Sequence, residues 1–164
     1  MALQLFKIET VEVASPVASV TFSSIPQGYT DLKLVISGRS TSTTPDATIS
    51  FNGVTTNLSD KVLYSYSGSV GSNSDTSIRS VISISTQTPN TFGSTDVYIP
   101  NYTSANYKSV SIDTVAESNE ASNAFLYLTA GLWSSTAAIT SLTATPYSSN
   151  SFAANSTLTL YGIL

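Results

Sequence analysis

The chain contains neither cysteine nor histidine in its 164 residues. The first absence removes disulfide frameworks and thiolate chemistry and leaves the redox compartment unread. The second removes the commonest general base and the commonest zinc ligand. Charge is scarce too: Asp, Glu, Lys and Arg make up 10% of the chain, where about a quarter is usual. Six Lys and Arg against ten Asp and Glu give a net charge of −4. So few cations build no phosphate-neutralising patch, so no nucleic-acid partner is expected, and an anionic membrane surface is disfavoured on the same ground. No run approaches the roughly 20 apolar residues of a membrane span. Lys7 and Glu9 interrupt the opening MALQLFKIETVEVA where a signal peptide needs an apolar stretch, so export by the general secretory route is not expected.

What the chain has in excess is hydroxyl groups, with Ser and Thr forming about a third of it. Thr is β-branched and Ser competes for backbone hydrogen bonds, so this composition favours strands and turns over helices. Ala, Leu, Glu, Lys and Arg never gather into a run of helical period, and the expected class is all-β. A length of 164 residues is one domain's worth, and the expectation is a single β-sandwich domain over 1–164 with a short N-terminal arm at about 1–6.

Alternation with period two marks the strands. In TDLKLVISG it sets Leu32, Leu34 and Ile36 on one face, with Asp31, Lys33 and Ser37 among the residues of the other. The same reading applies to ATISFNG (Ile49, Phe51), IRSVISI (Ile78 to Ile84), STDVYIP (Val97, Ile99), YKSVSIDTV (Val110, Ile112) and STLTLYGI (Leu158, Leu160). With KIETVEV, SVTFSSIP, AFLYLTAGLW and ITSLTATP the count reaches nine or ten short strands. Gly, Pro, Asn and Ser separate them, which indicates an antiparallel sandwich or barrel. SYSGSVGSNSDTS, residues 65–77, is low in complexity and reads as a surface loop.

Residues 128–146, LTAGLWSSTAAITSLTATP, hold the one tryptophan of the chain and no charged residue. AFLYLTAGLW alternates Leu126, Leu128, Ala130 and Leu132 with Phe125, Tyr127, Thr129, Gly131 and Trp133, and both sets are largely apolar. That suits a strand covered on both faces, by its own sandwich on one side and by another subunit or a loop on the other. Phe125 and Tyr127, with Leu3, Leu5 and Phe6 of the arm, are the candidate interface residues. SSTAA reads as a turn and ITSLTATP as the returning strand. Trp133 is expected in the core, the alternative being an exposed platform for a sugar ring.

Little in this inventory moves protons. No GxSxG elbow occurs among the many serines. The densest carboxylate cluster, Asp113, Glu117 and Glu120 in SIDTVAESNEAS, is the one place where paired acids for glycoside hydrolysis or oxygen ligands for calcium come close in sequence. It does not have EF-hand spacing, and a solvated acidic loop is the plainer reading. No catalytic residue, metal or cofactor is assigned, and an enzyme is not expected. Sequons at Asn57, Asn101 and Asn155 arise by chance in a chain this rich in Ser and Thr.

IPQGYTDLKLVISGRS, ISFNG, VYIPNYTSANYKSVSIDTVAESN and LTAGLWSSTAAITSLTATP followed by SFAANSTLTLYGI resemble, in that order, a widespread group of tailed-bacteriophage virion proteins. The likeness runs from about Ile25 onward and rests on an IP…Y(T)xL entry, an FNG strand end, a GLWxSTxAIT hairpin and a terminal LYGI. It implies a virion structural component assembled in the host cytoplasm, commonly an oligomeric β-sandwich of jelly-roll type, and it implies no catalytic or binding residues. The preferred expectation is a head decoration or cement protein that packs as a homo-oligomer, a trimer, on the major capsid protein. The alternative is a tail-fibre or baseplate tip that recognises a host-surface glycan through the loop aromatics Tyr64, Tyr66, Tyr102 and Tyr107. The chain has no shaft-like repeat or coiled coil, which weighs against that alternative.

Overall fold

The computed structural model describes residues 4–119 and 124–164. It contains twelve strands and, among the described residues, no helix. The first six are β1 (Leu5–Glu12), β2 (Val20–Phe22), β3 (Asp31–Gly38), β4 (Asp46–Phe51), β5 (Leu58–Tyr66) and β6 (Ser69–Asp75). The others are β7 (Ile78–Val81), β8 (Gly93–Ile99), β9 (Lys108–Ala116), β10 (Phe125–Trp133), β11 (Leu142–Pro146) and β12 (Thr157–Ile163). They form two antiparallel sheets, one of eight strands in the order β1-β12-β3-β8-β9-β10-β5-β6 and one of four in the order β2-β11-β4-β7. The expected all-β class holds, in the form of two facing sheets.

Alternation decides which side chains fill the space between the sheets. Leu32, Leu34 and Ile36 of β3, Val97 and Ile99 of β8, Val110 and Ile112 of β9, and Leu158 and Leu160 of β12 turn inward from the large sheet. They meet Phe22 of β2, Ile49 and Phe51 of β4, Ile78 of β7, and Leu142 and Ala144 of β11. Each large side chain removed from water here contributes about 1.5–3 kcal/mol. Trp133 closes one end of this core at 3% exposure, with its ring centroid 5.5 Å from that of Phe51.

Four expectations are corrected. Residues 65–77 are not a loop but the greater part of a hairpin, in which β5 and β6 pair from Asp60↔Asp75 to Tyr66↔Ser69. Ser67 and Gly68 turn it with φ of 48° and 83°, the paired left-handed conformations of a type I′ turn. ITSLTATP does not return beside β10: β10 pairs with β5 and β9, whereas β11 pairs with β2 and β4 in the other sheet. Asn52, at the FNG strand end, holds this crossing. Its Oδ1 accepts from the Thr140 and Ser141 N–H groups at 2.8 and 3.1 Å, and its Nδ2 donates to the Ala138 carbonyl at 2.8 Å. Tyr102 is not a loop aromatic open to ligands; it is fully buried and its hydroxyl donates to the Pro26 carbonyl. Leu5 and Phe6 are not a free arm, because they open β1 opposite Ile163 and Gly162.

Candidate functional site

The small sheet has half as many strands as the large one, so its edge strand β7 lies over β9, β10 and β5 and leaves part of the β5–β6 hairpin uncovered. The inner face beside that edge carries aromatic side chains two residues apart on adjacent strands. Tyr66 stands directly opposite Phe125, and Tyr64 opposite Tyr127. The first pair stacks at 5.0 Å with 5° between ring planes, and the second is tilted by 45° at 5.9 Å. The Tyr64 ring reaches across to Gly71 of β6, where a Cβ would lie 2.5 Å from its hydroxyl. Any side chain at position 71 would lift the ring. A cleft of about 510 Å3 opens between this aromatic wall and Thr43, Pro45, Ile84 and Thr86, with Asn73 also lining it.

A charged network lies beside the cleft. Asp60, buried at 6% exposure, binds Arg79 through two bonds, Nε to Oδ2 at 2.8 Å and Nη2 to Oδ1 at 2.7 Å. It also accepts the backbone N–H groups of Asp75 and Arg79 at 3.0 and 3.1 Å, so both its oxygens are satisfied. Arg79 Nη2 reaches Asn73 Oδ1 at 2.8 Å. Asp46 is held less completely. Its buried Oδ1 has no hydrogen-bond partner among the described residues, and burial raises its carboxyl above the usual 3.8 against the pull of the Arg79 charge. Burial, followed by the neighbouring Asp46 charge, pushes the Tyr127 hydroxyl up to about 12. The Tyr127 phenol, held neutral, and the saturated Asp60 carboxylate are groups that bind and orient.

On the opposite face of the same strands lies a second surface. Leu63 stands opposite Leu128, and Leu126 opposite Val115. All four point to solvent, with exposures of 57, 51, 50 and 41% respectively. Lys61 and Asp113 flank them on this face, and Tyr98 lies nearby. Phe125, by contrast, is buried with Val81, Ile84 and Ala116, and Tyr127 packs against that cluster. The apolar surface that β10 offers outward is therefore Leu126 and Leu128, not the Phe125 and Tyr127 set.

The remaining candidates are dispersed. Leu5 and Phe6 are exposed on the β1 edge, where Phe6 stacks on Tyr29 at 5.9 Å. Leu3 and Glu120 lie outside the described residues. Asp113 points outward from β9 opposite Asp96, and Glu117 is exposed and accepts the Asn119 N–H at 2.8 Å. Tyr107 is exposed just before β9 and lines no part of the aromatic cleft. Among the described residues no three His, Cys, Asp or Glu side chains converge as metal ligands, and no helix is long and apolar enough to cross a membrane. Asn57, Asn101 and Asn155 all have positive φ (60°, 49° and 67°), a backbone conformation for which Asn is selected without glycosylation. The aromatic wall had a sequence signal, Tyr64-x-Tyr66 with Phe125-x-Tyr127 at period two, but only the strand pairing joins the halves. No protein-family model matches the chain, and comparison with curated proteins and with solved structures finds no match either.

Proposed function

We propose that the chain is a tailed-bacteriophage virion structural protein, a head decoration or cement protein that packs as a homo-oligomer, a trimer in the expected form, on the major capsid protein. The observation that carries this reading is the outward apolar stripe of Leu63, Val115, Leu126 and Leu128, which a solitary soluble domain has no reason to keep. Its occupant is another copy of the chain: the stripe is apolar and Lys61 and Asp113 flank it with opposite charges, so copies set around a symmetry axis cover one another's apolar surface and bring cation to anion. The sandwich is further read as a jelly roll. With the β5–β6 hairpin and the β9–β10 pair set aside, the strand orders β1-β12-β3-β8 and β2-β11-β4-β7 are those of interleaved Greek keys, an arrangement used in viral capsid domains.

Copy number tests the reading. A cement protein occupies equivalent sites over the whole shell, so quantitative mass spectrometry of purified virions is expected to find it in amounts comparable with the major capsid protein. A ratio set by tail symmetry, a few copies per particle, overturns the head location. One observation favours a second reading, a fibre or baseplate tip that binds a host glycan: the aromatic cleft walled by Tyr64, Tyr66, Phe125 and Tyr127.

A further inference from the structure

We propose that the cleft between the β5–β6 hairpin and the edge of the small sheet is a binding site for a neutral saccharide. It supplies the site that the glycan-binding reading requires, and it is equally compatible with a head protein, so the two stand or fall separately.

The argument begins with what a pyranose asks of a protein: a flat apolar surface for its C–H face, and hydrogen-bond donors and acceptors around the ring for its hydroxyls. Tyr66 supplies the surface. It is 46% exposed and is held from behind by Phe125, parallel to within 5°, so the ring is fixed before any ligand arrives. Tyr64, kept low across Gly71, extends the apolar wall toward β6. Asn73 is oriented as well: Arg79 takes its Oδ1 at 2.8 Å, which leaves the Nδ2 donor as the group it offers a ligand. Thr43 and Thr86 line the other wall. The volume of about 510 Å3 suits one or two sugar rings.

Charge selects among ligands. Asp46, Asp60 and Asp75 lie beside the cleft, behind Asn73 and Tyr127 of its lining, and the cation among them, Arg79, is engaged by Asp60 and Asn73. An anionic sugar therefore meets net repulsion. A quaternary ammonium would find aromatic faces and nearby carboxylates, but it makes no use of Asn73, Thr43 and Thr86, and Asp46 is buried beside Tyr127. The polar lining and the lack of a disengaged cation together specify an uncharged polyhydroxyl ring.

The test is saturation-transfer NMR of the full chain with neutral hexosides, N-acetylhexosaminides and their disaccharides. Glucuronic acid, sialic acid and tetramethylammonium are run beside them. Transfer to neutral sugars is expected. Tyr66→Ala is expected to weaken their binding roughly tenfold or more, because an exposed aromatic anchor is lost. Tyr66→Phe, which keeps the ring, retains binding, Asn73→Ala weakens it, and Tyr107→Ala leaves it unchanged. Unaltered Trp133 fluorescence in each variant shows that the fold persists. The proposal is overturned if no neutral saccharide binds, if Tyr66→Ala binds as well as the parent, or if the charged probes bind in preference.

Discussion

Gly162 lies opposite Phe6 and beneath Tyr29, where a Cβ would come within 2.2 Å of the Tyr29 ring. The Gly in the terminal LYGI and the Tyr of IPQGYT thus belong to one contact. Gly162→Ala is expected to cost about 1–3 kcal/mol through overpacking, read as a lower urea midpoint. Asp60 and Arg79 carry a larger stake, because Asp60 is buried and its two oxygens face the guanidinium. Arg79→Ala is expected to cost about 3–5 kcal/mol, since the carboxylate left behind has lost its counter-charge. Asp46 acts in the other direction. Its folded carboxyl is raised above 3.8, so the native state binds that proton more tightly than the unfolded chain does. Its contribution to stability is full below 3.8 and is lost as pH rises through the raised value. Asp46→Asn is accordingly expected to raise the urea midpoint at neutral pH and to change it little below pH 3.8, a difference that paired denaturation curves measure directly.

At the scale of elements, β10 shows what alternation reveals and what it leaves open. Its existence and bounds were legible, and so was the burial of Trp133. Trp133→Ala is expected to cost about 3–5 kcal/mol, and the native emission to be blue-shifted and move red in denaturant. Which face pointed inward was not legible, because Phe125 and Tyr127 are as apolar as Leu126 and Leu128. That choice is made by β5, β9 and the edge of the small sheet, none of them local to β10. In β3, β4, β8, β9 and β12 one set was the more apolar, and the inward residues named from it, Leu32, Leu34 and Ile36 among them, are all buried. β6 gave no signal, since an edge strand exposed on most of its length has no apolar set to alternate. Tyr102 misled for the opposite reason: Asn, Pro and Ser around it mark a loop, yet that loop folds inward far enough for its hydroxyl to reach Pro26. The aromatic wall of the cleft was half visible, because Tyr64 and Tyr66 were singled out, but their partners on β10 were read as facing the other way.

For the whole molecule, the outward stripe across β5, β9 and β10 predicts association. Light scattering of the purified chain at micromolar concentration is expected to report an oligomer, and Leu128→Asp, an exposed substitution, to yield a folded monomer. A monodisperse parent monomer would remove the main support for the structural reading. The sheet order also bears on how the molecule is made. β12 lies between β1 and β3, so two strands from the first quarter of the chain are bridged only by one from its last eight residues. On the ribosome, β1 emerges early and then waits without a neighbour until residues 157–163 have been synthesised and have left the exit tunnel. Closure of this part of the sheet therefore waits for β12, and it is slow because the decisive contacts join residues about 120–160 positions apart. Nascent chains arrested before residue 157 are expected to be cut by protease within β1 and β3, whereas chains that expose all of β12 beyond the tunnel become resistant.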